Sequence, residues 1–188
     1  MLFRGVLFRS QRARARAAEA RGAVEISRLR ASGKPDDAAL AAQVLERTLA
    51  GYARVGEKYP SAPERGEADY RILQLRDEAA TGPQARVQII RDFLKAHPET
   101  THAADLRWRV ATLTQQELRA PLEAIRELEA FAADFPQDER TAEARFRIGA
   151  IYEEIREYDR ALAAYRRVVA DHPNSRFAAE APYRAGKQ

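Results

Sequence analysis

The sequence has no cysteine, and only one methionine and one tryptophan among 188 residues. The missing cysteine excludes disulfides, iron–sulfur clusters, thiolate zinc sites and cysteine nucleophiles, and leaves the redox compartment open. Long apolar runs are also missing: no stretch approaches the roughly 18 residues of a membrane-spanning helix. No G-x-S-x-G, P-loop or G-x-G-x-x-G motif occurs, so hydrolase and nucleotide-binding readings have no support. Large apolar side chains are few. Hydrophobic residues make up 45% of the chain, but 38 of them are alanine, which favours closely packed helices in thin layers over one thick core.

Charge is plentiful but unevenly placed. Of the formal net charge of +4, residues 1–30 hold eight arginines and two acids, a local +6, so the other 158 residues carry 4 − 6 = −2. The basic balance therefore belongs to the N-terminal end and not to the body. Arg4 and Arg9 interrupt the apolar run of Met1–Ser10, which argues against a signal peptide. That decapeptide contains the near-duplicate Leu2-Phe3-Arg4-Gly5 and Leu7-Phe8-Arg9-Ser10 and reads like a translated sequencing-adapter end. Residues 1–10 are therefore expected to be a non-native segment, with the true start lying upstream. Arg12-Ala13-Arg14-Ala15-Arg16 is the one basic cluster. Alternate residues diverge around a helix, so the run reads first as a solvated helix and second as an arm for nucleic acid or an anionic membrane.

The body carries a repeat. An aromatic residue or histidine precedes proline at Tyr59-Pro60, His97-Pro98, Phe135-Pro136 and His172-Pro173, with prolines 38, 38 and 37 residues apart. Seven residues after each proline stands an acid, Glu67, Asp105, Glu143 or Glu180. Three further on comes an aromatic followed by arginine: Tyr70-Arg71, Trp108-Arg109, Phe146-Arg147 and Tyr183-Arg184. A fixed period of this size means stacked supersecondary units. Apolar spacing resolves each unit into two helices, for example Phe146, Ile148, Ile151, Tyr152 and Ile155, then Leu162, Tyr165, Val168 and Val169. Pro83 and Pro121 suit first helical turns, and each aromatic–Pro dipeptide suits the end of a second helix. Nine helices are predicted, near 11–31, 36–58, 64–79, 83–96, 101–118, 121–134, 139–156, 158–171 and 175–186. They divide into a degenerate hairpin over 11–58 and repeats over 59–188, namely 64–98, 102–136, 139–173 and a truncated unit at 175–188.

Ile148-Gly149, Tyr152, Ala161, Tyr165 and Pro173 resemble the tetratricopeptide repeat signature over residues 142–175. Ala111, Ala124, Leu128 and Pro136 match it more loosely in the unit before, and Arg86 stands where Ala124 and Ala161 sit. The segment from His172 to Glu180 is similar to bacterial cell-envelope repeat proteins, of the type of the outer-membrane assembly lipoprotein and of the periplasmic Tol–Pal coordinator. The resemblance implies an all-α fold, a right-handed α-α superhelix (a TPR-like solenoid) of about nine antiparallel helices. It implies a non-enzymatic scaffold whose first helices line a concave face for a peptide or protein partner, and a periplasmic or envelope location. Pro60, Pro98, Pro136, Ile148, Gly149, Tyr152, Ala161, Tyr165 and Pro173 are then structural positions of the repeat.

Candidate groove residues follow from the register. The acid and arginine of each unit, Glu67/Arg71, Asp105/Arg109, Glu143/Arg147 and Glu180/Arg184, stand four apart in the order that supports a helix by about 0.2–0.5 kcal/mol. The same arginines could form a row gripping partner carboxylates. The aromatic column Tyr70, Trp108, Phe146 and Tyr183 either fills space between hairpins or presents interface anchors, with Trp108 the foremost candidate for contact. Helical spacing extends the lining to Thr112, Gln115 and Glu153. His97 and His172 alternate with aromatics in the register, and His102 has no third ligand nearby, so no metal or other cofactor is expected. Two other function classes stay open: a helical regulatory module cut from a larger enzyme, and a nucleic-acid binder acting through the Arg-rich helix, which the acidic body disfavours.

Overall fold

The computed structural model describes residues 21–22, 24–26, 28–58 and 64–186. The decapeptide, the Arg12–Arg16 run, Tyr59 and Pro60 lie outside these. The described residues are helices joined by turns, with no strand among them. Helical residues between 21 and 31 (α1) precede α2 (Pro35–Lys58), α3 (Glu64–Ala79), α4 (Pro83–Ala96), α5 (Ala103–Gln116), α6 (Pro121–Asp134), α7 (Thr141–Glu154), α8 (Tyr158–Asp171) and α9 (Arg176–Ala185). The expected helices recur in place, with ends shifted by two residues or fewer from α2 to α9.

The chain forms two compact units, divided after Ala80. In the first, α2 packs on α3 through Leu49, Tyr52, Ala68 and Leu75, with Leu45 and Ile72 beside them. The boundary lies between α3 and α4, and Arg86 on α4 stands at the register position of the small Ala124 and Ala161. Arg86 reaches forward to Glu117 at 3.3 Å.

In the second unit each helix from α4 to α9 packs on its sequence neighbours, and α7 also touches α9. The joint between hairpins is built the same way three times. His97, Phe135 and His172 leave the helical region at φ −131, −127 and −135°, as residues before proline must, while each N–H still reaches a carbonyl one turn back. The turns through Pro98, Pro136 and Pro173 close by Thr100 N–H to His97 O, Asp138 N–H to Phe135 O and Ser175 N–H to His172 O, at 3.0–3.1 Å. The side chains of Thr100, Asp138 and Ser175 then accept from the backbone N–H of His102, Arg140 and Ala178, at 3.3, 2.9 and 3.2 Å. Ser175 is thereby the N-cap of α9, whereas Thr100 and Asp138 close side-chain turns onto the amides of His102 and Arg140, the residues that open α5 and α7. Within the hairpins α5–α6 and α7–α8 the reversal places Arg119 and Arg156 at φ +50 and +63°, a left-handed conformation that glycine adopts more cheaply.

Alanine makes the close contacts. Ala111, Ala124, Ala144, Ala161 and Ala181 are all fully buried. One cluster joins α5, α6 and α7 through Leu128, Phe131, Ile148 and Ile151, and another joins α7, α8 and α9 through Phe146, Tyr165 and Val168. Gly149 completes the second: a Cβ there would lie 2.6 Å from the Tyr165 ring. The glycine is what allows so large a ring at that position.

Candidate functional site

The first helices α5, α7 and α9 of the second unit bring together the register residues proposed to line a groove. Arg147 donates to Glu143 one turn back at 2.5 Å, and Arg184 pairs with Glu180 at 3.6 Å. In the first unit, Arg71 pairs with Glu67 at 3.4 Å and donates to Gln74 at 2.8 Å. The fourth acid behaves differently: Asp105 accepts from Arg140 at 2.8 Å.

The arginines also tie successive first helices together. Arg147 Nη1 donates to Gln115 on α5 at 3.5 Å, and Arg184 Nη1 contacts Glu153 on α7 at 3.4 Å. Gln115 and Glu153 are equivalent in the 38-residue register, so this is one link made twice. Glu153 also accepts from the Tyr165 hydroxyl at 2.9 Å. Burial and the Glu153 carboxylate together push the Tyr165 hydroxyl above its ordinary range, so it stays a donor. Arg147 and Arg184 are thus cross-links, each shared between its own helix and the first helix of the unit before.

The aromatic column splits by burial. Phe146, with 8% exposure, is a core residue, 5.3 Å from both the Tyr165 and Phe177 rings. Of the two readings of the column, filling space between hairpins is the one this burial favours at Phe146. Trp108 is half-buried. Its ring lies 5.2 Å from Phe131, and the Arg147 and Arg140 guanidiniums stand 4.8 and 5.8 Å from its centroid. Tyr183 is 64% exposed on α9. Tyr70 is half-buried in the first unit, and Arg109 is exposed on α5. Thr112 is half-buried, with its Oγ1 covered and without a hydrogen bond.

Three features escaped the sequence reading. Arg140 donates to Asp138 at 2.7 Å, reaches Asp105 and lies 5.5 Å from the Phe131 ring centre. Hydrogen bonding between Arg140 and Asp138 holds the carboxyl below its usual range and raises the guanidinium. In each hairpin an arginine on the first helix pairs with the aspartate that ends the second: Arg107 with Asp134 at 3.2 Å, and Arg145 with Asp171. Both pairs stand at equivalent register positions, so extending the comparison past the aromatic column would have shown them. The acceptor role of Thr100, Asp138 and Ser175 was legible in the same way. Among the described residues no group of three or more Asp, Glu or His could hold a metal, and no helix is long and apolar enough to cross a membrane.

Residues 143–175 match the tetratricopeptide repeat family. No curated protein matches the chain. Among solved structures the chain is similar to MamA at 16% identity, over 74% of this chain and 75% of that one, with a TM-score of 0.42. It is similar also to YrrB, described as a TPR protein with an unusual peptide-binding site, at 26% identity over 80% of this chain and 72% of that one, with a TM-score of 0.45. The matched segment takes in most of α7, all of α8 and the turn to Ser175, the hairpin in which Gly149 meets Tyr165. Helices α7 and α8 therefore form a tetratricopeptide repeat within an all-α stack of helical hairpins.

Proposed function

We propose that this protein is a non-enzymatic scaffold that holds a peptide or protein segment against the face formed by α5, α7 and α9. One observation carries the reading. The cross-links from Arg147 to Gln115 and from Arg184 to Glu153 hold side chains of successive first helices in place while leaving them half-exposed. A surface fixed in this way loses little side-chain entropy when a partner docks. Trp108 edges it, and Arg109 and Tyr183 stand exposed beside it. The proposed setting is the bacterial cell envelope, supported by the resemblance of residues 172–180 alone, and fractionation of the source cells tests that part separately.

The experiment is selection of binding peptides from a random display library, followed by titration of the winners against Arg109→Glu and Tyr183→Ala variants. Both positions are exposed, so the helical circular-dichroism signal should not change. Binding that falls about tenfold or more in either variant supports the face. Peptides that bind both variants as tightly as the parent would overturn it.

A further inference from the structure

Two clefts open between successive second helices, at the same place in the repeat. The smaller, about 300 Å³, lies between α4 and α6 over α5, and Arg91, Leu94, Arg107 and Glu127 are among its lining residues. The larger, about 560 Å³, lies between α6 and α8 over α7. The register sets Arg91 against Glu129, Leu94 against Ala132, Arg107 against Arg145, Val110 against Ile148 and Glu127 against Ala164. The two clefts therefore act as controls for each other.

In the smaller cleft both arginines are held by acids. Arg91 crosses from α4 to α6 and donates to Glu123 at 2.7 Å and Glu127 at 2.5 Å, and Arg107 pairs with Asp134 at 3.2 Å. In the larger cleft the Glu123 position holds Arg160, the Glu127 position holds Ala164, the Ala130 position holds Arg167, and Glu129 and Ala133 stand for Arg91 and Lys95. Each lining has three cations and one acid, and what differs is how the arginines are paired. Arg145 is occupied by Asp171. Arg160 is not held in that way: its side chain is 63% exposed, its nearest acid, Glu157, is 3.9 Å away, and its guanidinium lies 5.8 Å from the Tyr152 ring centre. Arg167 is exposed and makes no ion pair with any described residue. Glu129 is the one acid among the lining residues. Residues 81–188 contain 17 basic and 17 acidic residues, so the unit has no net charge, and the larger cleft is set apart by two arginines that acids do not hold closely. Between the two arginines the wall is Ala164 and the floor is Ile148 and Tyr152, a small apolar surface.

We infer that the cleft between α6 and α8 binds an acidic peptide, with carboxylates on Arg160 and Arg167 and a small aliphatic side chain between them on the alanine wall. The arginines stand seven residues apart on α8, about 10.5 Å along its axis. Acids four residues apart in an extended peptide share one face with the residue midway between them and span about 13 Å, a distance that two long arginine side chains can bridge. Arginine offers carboxylates a bidentate fork, and the apolar floor gives a peptide what a free anion would not use. This cleft lies on the second helices, away from the face of α5, α7 and α9, and stands independently of the function proposed for that face.

The test is fluorescence anisotropy of a labelled, capped peptide Gly-Glu-Ser-Ala-Ser-Glu-Gly on the full chain at low salt. Binding should weaken about tenfold or more in Arg160→Glu/Arg167→Glu, and equally in Arg160→Glu/Ala164→Glu/Arg167→Ala, which rebuilds the acid pattern of the smaller cleft. Arg176→Glu, exposed on α9 and outside the cleft lining, and Tyr183→Ala should leave binding unchanged. Circular dichroism confirms that each variant folds. The inference is overturned by absence of binding at about 1 mM peptide, by equal binding of the Gln-for-Glu peptide, or by binding that survives the charge reversals. Tighter binding of single-stranded DNA or anionic vesicles through the same two arginines would overturn the peptide assignment as well.

Discussion

The hairpins α5–α6 and α7–α8 share one register and fill it with different side chains. Where the first places Ala111 and Leu128, the second places Gly149 and Tyr165, and all four are buried. A larger ring on one helix is matched by a smaller residue on the other, as close packing at fixed helix separation requires. The exchange adds a polar consequence, because only the tyrosine reaches Glu153, where the leucine hairpin has Gln115 and no hydroxyl. The aromatic column shows the same freedom: Trp108 stays half-exposed on Phe131, while Phe146 is closed in by Tyr165 and Phe177. What the repeat preserves is the volume at each contact, and the identity of each side chain is set by its neighbour.

The comparison can be broken most forcefully at the aromatic column. Phe146→Ala should cost about 3–5 kcal/mol in denaturant unfolding, and Trp108→Ala less, because part of its surface stays in water. Equal losses would show that Trp108 is as deeply packed as Phe146. The next largest effect is at the matched pair. Gly149→Ala should destabilise by about 1–3 kcal/mol, and Gly149→Ala combined with Tyr165→Leu, which copies the other hairpin, should restore most of that loss. Leu128→Tyr tests the mirror case: it should be destabilising alone and eased by Ala111→Gly. Additive losses in either double variant would count against volume matching.

The joints between hairpins allow a finer distinction. Asp138→Ala and Thr100→Ala each remove a side-chain acceptor for a backbone amide in the turn before a helix, for about 1 kcal/mol near neutral pH. Only the aspartate loss should depend on pH. Its carboxyl is held low by Arg140, so its contribution is complete above the ordinary carboxylate range near pH 4 and disappears as pH falls through the lowered folded value. Thermal melts from pH 7 down to pH 2 should thus show the Asp138→Ala deficit closing in acid while the Thr100→Ala deficit persists. The smallest effect is a gain. Arg119→Gly and Arg156→Gly relieve positive φ in the two hairpin turns and should each raise stability by about 0.5–1 kcal/mol, read as a shift in the urea midpoint. A loss at Arg156 would mean that its side chain contributes more than its backbone strain costs.

Helix positions could be read from the sequence because they depend on local rules. Pro83 and Pro121 open helices, and the residues before Pro98, Pro136 and Pro173 close them, whatever lies across the chain. The 38-residue register was equally visible, and with it the pairs Arg147/Glu143 and Arg184/Glu180, which lie on single helices. Asp105 was assigned to Arg109 by the same local logic, and the pairing observed for it is with Arg140, which belongs to the next unit of the repeat. The two readings left open for Phe146 have a similar origin. Helical spacing places it at the edge of an apolar stripe, and only the arrival of Phe177 from α9 decides that its ring is enclosed.

Sequence alone determined the helical class, the element boundaries and the period, because backbone propensity, proline geometry and hydrophobic spacing act within about a turn of the chain. The tertiary structure decided which arginines are used up as cross-links and which, like Arg167, face a cleft without an ion pair to a described residue. Those outcomes depend on side chains some 30 residues apart meeting across helix packing, where exchanges such as Glu127 to Ala164 and Arg91 to Glu129 remove the ion cluster that spans the smaller cleft.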